Sequence, residues 1–232
     1  MSDCARLIAA ARAQGRGALD EWAGKRLLES FGVRVPNSVV VSDAGGVQGV
    51  VSALKPPYAV KVVSPDILHK SDAGGVRLGL KSADEVEQAI AAMASSPQIK
   101  SSRIDGWLVE EMAAGQEIVI GGVHDPQFGP LVMVGLGGIF VEVLADVAFR
   151  ICPITRLDAQ EMLAELKGAA VLAGARGRKA ASRDAIVDVL LKVGGEDGLM
   201  VRHADDIKEA DINPLIVDEA GAVAADARLI LT

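Results

Sequence analysis

Val60-Lys61-Val62-Val63-Ser64-Pro65-Asp66-Ile67-Leu68-His69-Lys70-Ser71-Asp72-Ala73-Gly74-Gly75-Val76 sets a strand, a loop and a second strand in order, and the rest of the chain is read outward from it. The run Tyr58 to Val63 is apolar except at Lys61. A lysine inside a strand that wants burial needs an anion: phosphate oxygens and a structural carboxylate both satisfy it, and an edge strand would instead leave it in solvent. Ser64 to Gly75 has the Pro, Asp, Ser and Gly content of a loop. It carries one of only three histidines, His69, beside Lys70. A neutral imidazole nitrogen is nucleophilic near pH 7 and can accept a phosphoryl group; a plainly exposed loop histidine is the other reading. Gly74-Gly75 reads as a pivot. Val76, Leu78 and Leu80 then alternate as in a half-buried strand.

On the N-terminal side, helical spacing from Ser2 to Phe31 predicts two helices, with Leu19, Trp22, Ala23 and Leu27 on one face and Gly15 and Gly32 as stops. A strand follows at Ser38 to Ser42, then a weak glycine-containing helix. On the C-terminal side the pattern predicts a capped helix over Ser82 to Ser95. Strands are predicted at Trp107 to Met112, Glu117 to Val123, Leu131 to Val134 and Val147 to Ile151, helices at Leu157 to Lys167 and Ser182 to Val193, and closing strands at Ala210 to Val217 and Ala222 to Leu231. Strand-rich and helical blocks of this kind argue for an α+β fold and against a regular α/β repeat.

The 232 residues are 50% hydrophobic but only 3% aromatic, so the core rests on Val, Leu, Ile and Ala. At roughly 150 residues per domain, the length fits one large domain or two joined lobes. A net charge of −7 works against nucleic acid or an anionic membrane as partner. The longest uncharged stretch, Pro126 to Val141, has 16 residues with two prolines and four glycines, too short and too broken to span a bilayer. Two cysteines, Cys4 and Cys152, make no disulfide framework or metal knuckle. With no basic start and apolar h-region at the N-terminus, the expected location is the cytoplasm, with Cys152 a small core residue.

Three further segments carry chemistry. A hairpin closing around Asp218-Glu219-Ala220-Gly221 sets Asn213 opposite Asp226, with Asp211 on the same face. An amide oxygen and one or two carboxylates suit Mg2+, which takes its remaining ligands from water and phosphate; polar hairpin residues facing water are the alternative, and a one-residue slip would flip the face. Glu110-Glu111-Met112 has the form of a segment linking two lobes, able to offer backbone groups to an adenine edge. Nearby Glu117 is placed to accept from ribose hydroxyls, and a solvated acidic turn is the other reading. Gly135-Leu136-Gly137-Gly138-Ile139-Phe140-Val141-Glu142 lets backbone amides approach phosphate, or is a tight turn. It is neither a Walker loop nor a dinucleotide fingerprint.

From about Leu19 to Leu231 these segments together resemble the ATP-grasp subunit of ADP-forming acyl-CoA synthetases, the acetate-CoA ligase (ADP-forming) β subunit. The resemblance is carried by Val60 to Val76, Asp125-Pro126-Gln127-Phe128-Gly129-Pro130, Gly135 to Asp146, Arg176-Gly177 and Asp211-Ile212-Asn213-Pro214-Leu215. The last is similar, more distantly, to the metal-binding strand of succinyl-CoA synthetase β subunits. The resemblance implies an ATP-grasp fold: a helical extension over 1–17, then a domain over 18–232 whose smaller lobe lies near 36–110, with nucleotide in a cleft between two lobes. It implies ATP or ADP and Mg2+ as cofactors. Lys61 would contact phosphates, Glu110, Glu111 and Met112 would line the adenine pocket, and Glu117, Gly137 and Gly138 would contact nucleotide. Asn213 and Asp226 would hold Mg2+, and His69 would relay phosphoryl groups.

Many members of that family carry CoA-binding and ligase-like domains on the same chain, and this chain holds the ATP-grasp part. The resemblance therefore implies a companion α-type subunit that binds CoA and a small carboxylic acid, in a hetero-oligomer. Glu110 stands where many relatives have Gln. Two other readings are a carboxylate-amine ligase, which would not need His69, and a nucleotide-binding regulatory subunit.

Overall fold

The computed structural model describes residues 3–67, 70–137, 145–174 and 179–232. His69 and Gly138 therefore lie outside the described residues, as do Arg176 and Gly177. The chain divides into two compact units, one formed by 36–112 and the other by 1–35 together with 113–232.

The smaller unit is built on a four-stranded antiparallel sheet in the order β2 (Ser38–Val41), β5 (Gly106–Glu111), β3 (Tyr58–Val63), β4 (Val76–Leu80). Alternation decides which side chains enter its core. Tyr58, Val60 and Val62 of β3 and Trp107 and Val109 of β5 pack with Val47 and Val51 of α3 (Val47–Val51) and Val86, Ile90 and Met93 of α4 (Ala83–Ser95). Ser82 caps α4 by accepting from the amide of Glu85. The remaining residues of β3, namely Ala59, Lys61 and Val63, sit on the opposite face and are buried as well. Because β3 pairs with both β4 and β5, Lys61 is on an inner strand, and the edge-strand reading of it is excluded.

The loop after β3 is tied at both described ends. Ser64 Oγ donates to the Arg103 carbonyl at 2.6 Å and Asp66 accepts from the Arg103 amide at 2.7 Å. At the far end Gly74 has φ +69°, and a Cβ at Gly75 would lie 2.5 Å from Val62 Cγ1. The glycine pair thus provides a left-handed turn and a close approach to β3.

The larger unit carries a seven-stranded sheet in the order β1 (Ala18–Leu19), β11 (Arg228–Leu231), β9 (Ile207–Asp218), β6 (Gln116–Asp125), β7 (Gly129–Leu136), β8 (Val147–Ile151), with β10 (Gly221–Ala224) also paired to β9. Ile118, Ile120, Val132, Val134, Ile212 and Leu215 face a core shared with buried residues of α1 (Asp3–Ala13), α2 (Glu21–Ser30), α6 (Arg156–Glu165) and α7 (Arg183–Gly194), the helices α5 (Pro97–Lys100) and α6 being numbered in chain order. Cys4, Ile8 and Ala11 of α1 belong to this core. Burial pushes the Cys152 thiol up to about 11, in keeping with an inert core residue. Among the described residues no helix is long and apolar enough to cross a membrane.

The expected strand from Ala222 to Leu231 is instead two strands, β10 and β11, separated at 225–227. In that gap the chain spends its backbone groups differently: the Ala225 amide donates to the Pro214 carbonyl, and Asp226 Oδ1 accepts from the Ala227 amide.

Candidate functional site

In the smaller unit, Lys61 Nζ lies 2.8 Å from Glu110 Oε1, with 8% and 3% of the two side chains exposed. Lys61 is directly opposite Leu108 and Glu110 is opposite Ala59, so the pair is formed diagonally on the sheet face turned away from the helices. Burying one charge here without the other would be costly, and together they are tolerated. Of the partners expected for Lys61, the structural carboxylate is present. A phosphate oxygen approaching the same face would share the ammonium with Glu110.

The neighbours of Glu110 are also engaged. Glu111 accepts from the Lys55 amide at 2.9 Å and from Asn37 Nδ2 at 3.1 Å. The amides of Glu111 and Met112 donate to the carbonyls of Asn37 and Pro57, both at 3.0 Å. Those two donors are spent within the unit, so a purine edge at this segment must be met by other backbone groups.

In the larger unit the terminal hairpin has the register expected of it. Ala224 pairs with Leu215 and, beyond the gap, Arg228 pairs with Asp211. The two pairings have the same offset, so Asp226 stands opposite Asn213. A bulge in β9 makes this possible: Ile118 pairs with Leu215 but Ile120 with Ile212. The extra residue shifts the buried set from Ala210 and Ile212 to Leu215 and Val217 and leaves Asn213 exposed.

The face of β9 that carries Asn213 is acidic and holds one arginine. Burial pushes the Asp211 carboxyl above its ordinary range; the Arg228 guanidinium opposes this, and the charges of Glu209 and Asp226 add to it. Arg228 Nη2 donates to Glu209 Oε1 at 2.7 Å. Among the described residues no cluster of three or more His, Cys, Asp and Glu side chains has metal-binding geometry. Asn213 and Asp226 therefore form at most a two-residue set, as suits an ion that completes its shell with water and phosphate oxygens. Glu117 is exposed on β6, opposite Ile216 on the same sheet face. At the end of β7, the Gly137 amide donates to the Glu117 carbonyl at 2.8 Å, and a Cβ at Gly137 would lie 2.7 Å from Glu117 Cβ. Only glycine fits there without moving Glu117.

The candidate residues thus fall into two sets. Lys61 and Glu110 to Met112 belong to the smaller unit, and Glu117, Gly137, Asn213 and Asp226 to the larger. Sequence reading missed Arg228 and Glu209, although extending the hairpin register past Asp226 would have found Arg228 facing Asp211. It also missed the buried Asp146, whose carboxylate accepts from the amides of Lys167 and Gly168, both at 2.8 Å.

Residues 10–231 match the ATP-grasp domain family. The β subunit of acetate–CoA ligase (ADP-forming) I from Pyrococcus furiosus is 40% identical over 228 residues, 97% of this chain and 96% of that one. The chain belongs to the ATP-grasp subunits of the ADP-forming acyl-CoA synthetases. Another member of this synthetase family, acetate–CoA ligase (ADP-forming) I of Archaeoglobus fulgidus, is 41% identical over 90% of this chain, a match that spans 30% of the relative's own length. The fold is that of Ca. Korarchaeum cryptofilum acetyl-coenzyme A synthetase 1, with TM-score 0.91 and 37% identity, covering 98% of this chain and 99% of that one. A further structure of that synthetase holds coenzyme A and Mg-AMPPCP, with its phosphohistidine segment pointing towards the nucleotide binding site.

Proposed function

We propose that this chain binds ATP or ADP with Mg2+ and moves a phosphoryl group between the nucleotide and His69, as the ATP-grasp half of a two-chain ADP-forming acyl-CoA synthetase. The observation that carries this is the end-to-end likeness to the Pyrococcus β subunit, together with the Lys61 to Val76 segment, in which a lysine of one strand is followed eight residues later by a histidine of the loop after it. The CoA and acid sites then belong to a companion chain, equivalent to the remaining length of the Archaeoglobus relative.

In the direction that consumes ATP, a neutral ring nitrogen of His69 attacks the γ-phosphorus. A P–N bond forms, the bond from phosphorus to the bridging β,γ-oxygen breaks, and ADP leaves with that electron pair. Lys61 stabilises negative charge on the phosphate oxygens and orients them, its own charge held in place by Glu110. Asn213 and Asp226 would hold Mg2+, which supplies charge neutralisation at the phosphates. Running the steps backwards, phosphohistidine delivers its phosphoryl group to ADP.

The test is incubation of the purified chain with γ-labelled ATP and Mg2+. Protein-bound label that is acid-labile and alkali-stable is the expected result, because a phosphoramidate has that lability. Acid-stable label, or none in a chain that binds ATP, would overturn the relay.

A further inference from the structure

Arg228, the first residue of β11, lies beside the acidic residues of β9. It is opposite Asp211 in the strand register and bonded to Glu209 at 2.7 Å, and it follows Asp226 by two residues. One guanidinium therefore shares a sheet face with three carboxylates and is bonded to one of them. Its Nε is buried and, among the described residues, has no hydrogen-bond partner. A buried donor left open is costly, so this arginine is kept for more than the single bond it makes to Glu209.

The charge of this row acts in opposite directions on two species. A bare divalent cation binds more tightly as the row becomes more negative. A cation already bound to ADP carries a net negative charge, and the same row repels it. The guanidinium of Arg228 is the positive contribution to that balance.

We propose that Arg228 is a specificity-determining residue: it sets the charge of the row formed by Glu209, Asp211 and Asp226 so that the divalent cation is taken together with nucleotide phosphates and not alone. The proposal rests on Asn213 and Asp226 being the cation ligands.

The experiment is Mn2+ binding by the full chain, read by electron paramagnetic resonance with and without ADP, with thermal melts confirming that each variant is folded. Arg228→Gln is expected to tighten free Mn2+ binding by about three- to tenfold and to weaken Mn-ADP binding by about two- to threefold, since the free ion carries two charges and its ADP complex a net one of opposite sign. Arg228→Lys should leave both near wild type, and Glu209→Gln should weaken free Mn2+ binding. A purely structural arginine predicts that both affinities fall together. That result, or no change in folded Arg228→Gln, overturns the proposal. If Arg228→Gln does not fold, unchanged free Mn2+ binding by Glu209→Gln overturns it equally. Asp226→Asn distinguishes the levels: if it alters neither affinity, the cation reading itself has failed and the proposal falls with it.

Discussion

Lys61 and Glu110 meet at 2.8 Å across two neighbouring strands, almost wholly buried, so the lysine proposed to meet phosphate is also the counter-ion of a core carboxylate. Lys61→Ala should weaken nucleotide binding about tenfold or more, the worth of a charge-assisted contact. It should also cost about 3–5 kcal/mol of stability, because a buried ion pair loses one of its two members. The double variant Lys61→Ala/Glu110→Gln should recover most of the stability and none of the affinity, as measured by urea unfolding and calorimetry. Recovery of both would reduce Lys61 to a structural residue.

Asp226→Asn should lower Mg2+-dependent nucleotide affinity much more than melting temperature. Asp226 lies in the gap between β10 and β11, where its Oδ1 accepts from the next amide, and an amide oxygen can replace that acceptor. It cannot replace the charge at a hard cation. A folded variant with unchanged Mg2+ dependence would reject the ligand role.

Gly137→Ala should destabilise the larger unit by about 1–3 kcal/mol, the usual cost of forcing a methyl group into filled space. Its Cβ would fall 2.8 Å from the Glu117 carbonyl oxygen, so Glu117 must move and nucleotide affinity should fall too. Gly49→Ala is the control. That position lies in α3 with open space around it, and there alanine should stabilise slightly. Equal effects from the two substitutions would contradict the steric reading.

The readable and unreadable parts of this fold divide by sequence distance. The Asn213 and Asp226 register followed from a short loop at Asp218 to Gly221, because a tight hairpin leaves few ways to pair its strands. The interruption at 225–227 was not readable, since no proline or glycine marks it and the cause lies across the sheet at the β9 bulge. The Lys61 and Glu110 pair joins strands 49 positions apart in the chain, and strand order cannot be deduced from alternation alone. Glu21 and Lys25 stand four residues apart on α2, and nothing in that spacing shows that both are buried, bonded at 2.7 Å.

Acid should loosen the contact between α1 and the turn before β9. The His203 hydrogen bond at Asp206, with the Arg12 guanidinium adding to it, holds the Asp206 carboxyl below the usual range. A depressed folded value means that this stabilisation is present above the unfolded value, near 4, and is lost as pH falls through the folded one. Asp206→Asn should therefore flatten the acid limb of the stability curve below about pH 4. An acid limb identical to wild type would remove Asp206 from the balance.

Phosphoryl transfer through His69 is tested most directly by separating binding from chemistry. His69→Asn, assayed with γ-labelled ATP, Mg2+ and the companion chain, should bind ATP with wild-type affinity by calorimetry while accepting no label and supporting no acyl-CoA formation. Near-wild-type synthetase activity in that variant would contradict the relay and leave direct phosphorylation of the bound acid as the mechanism.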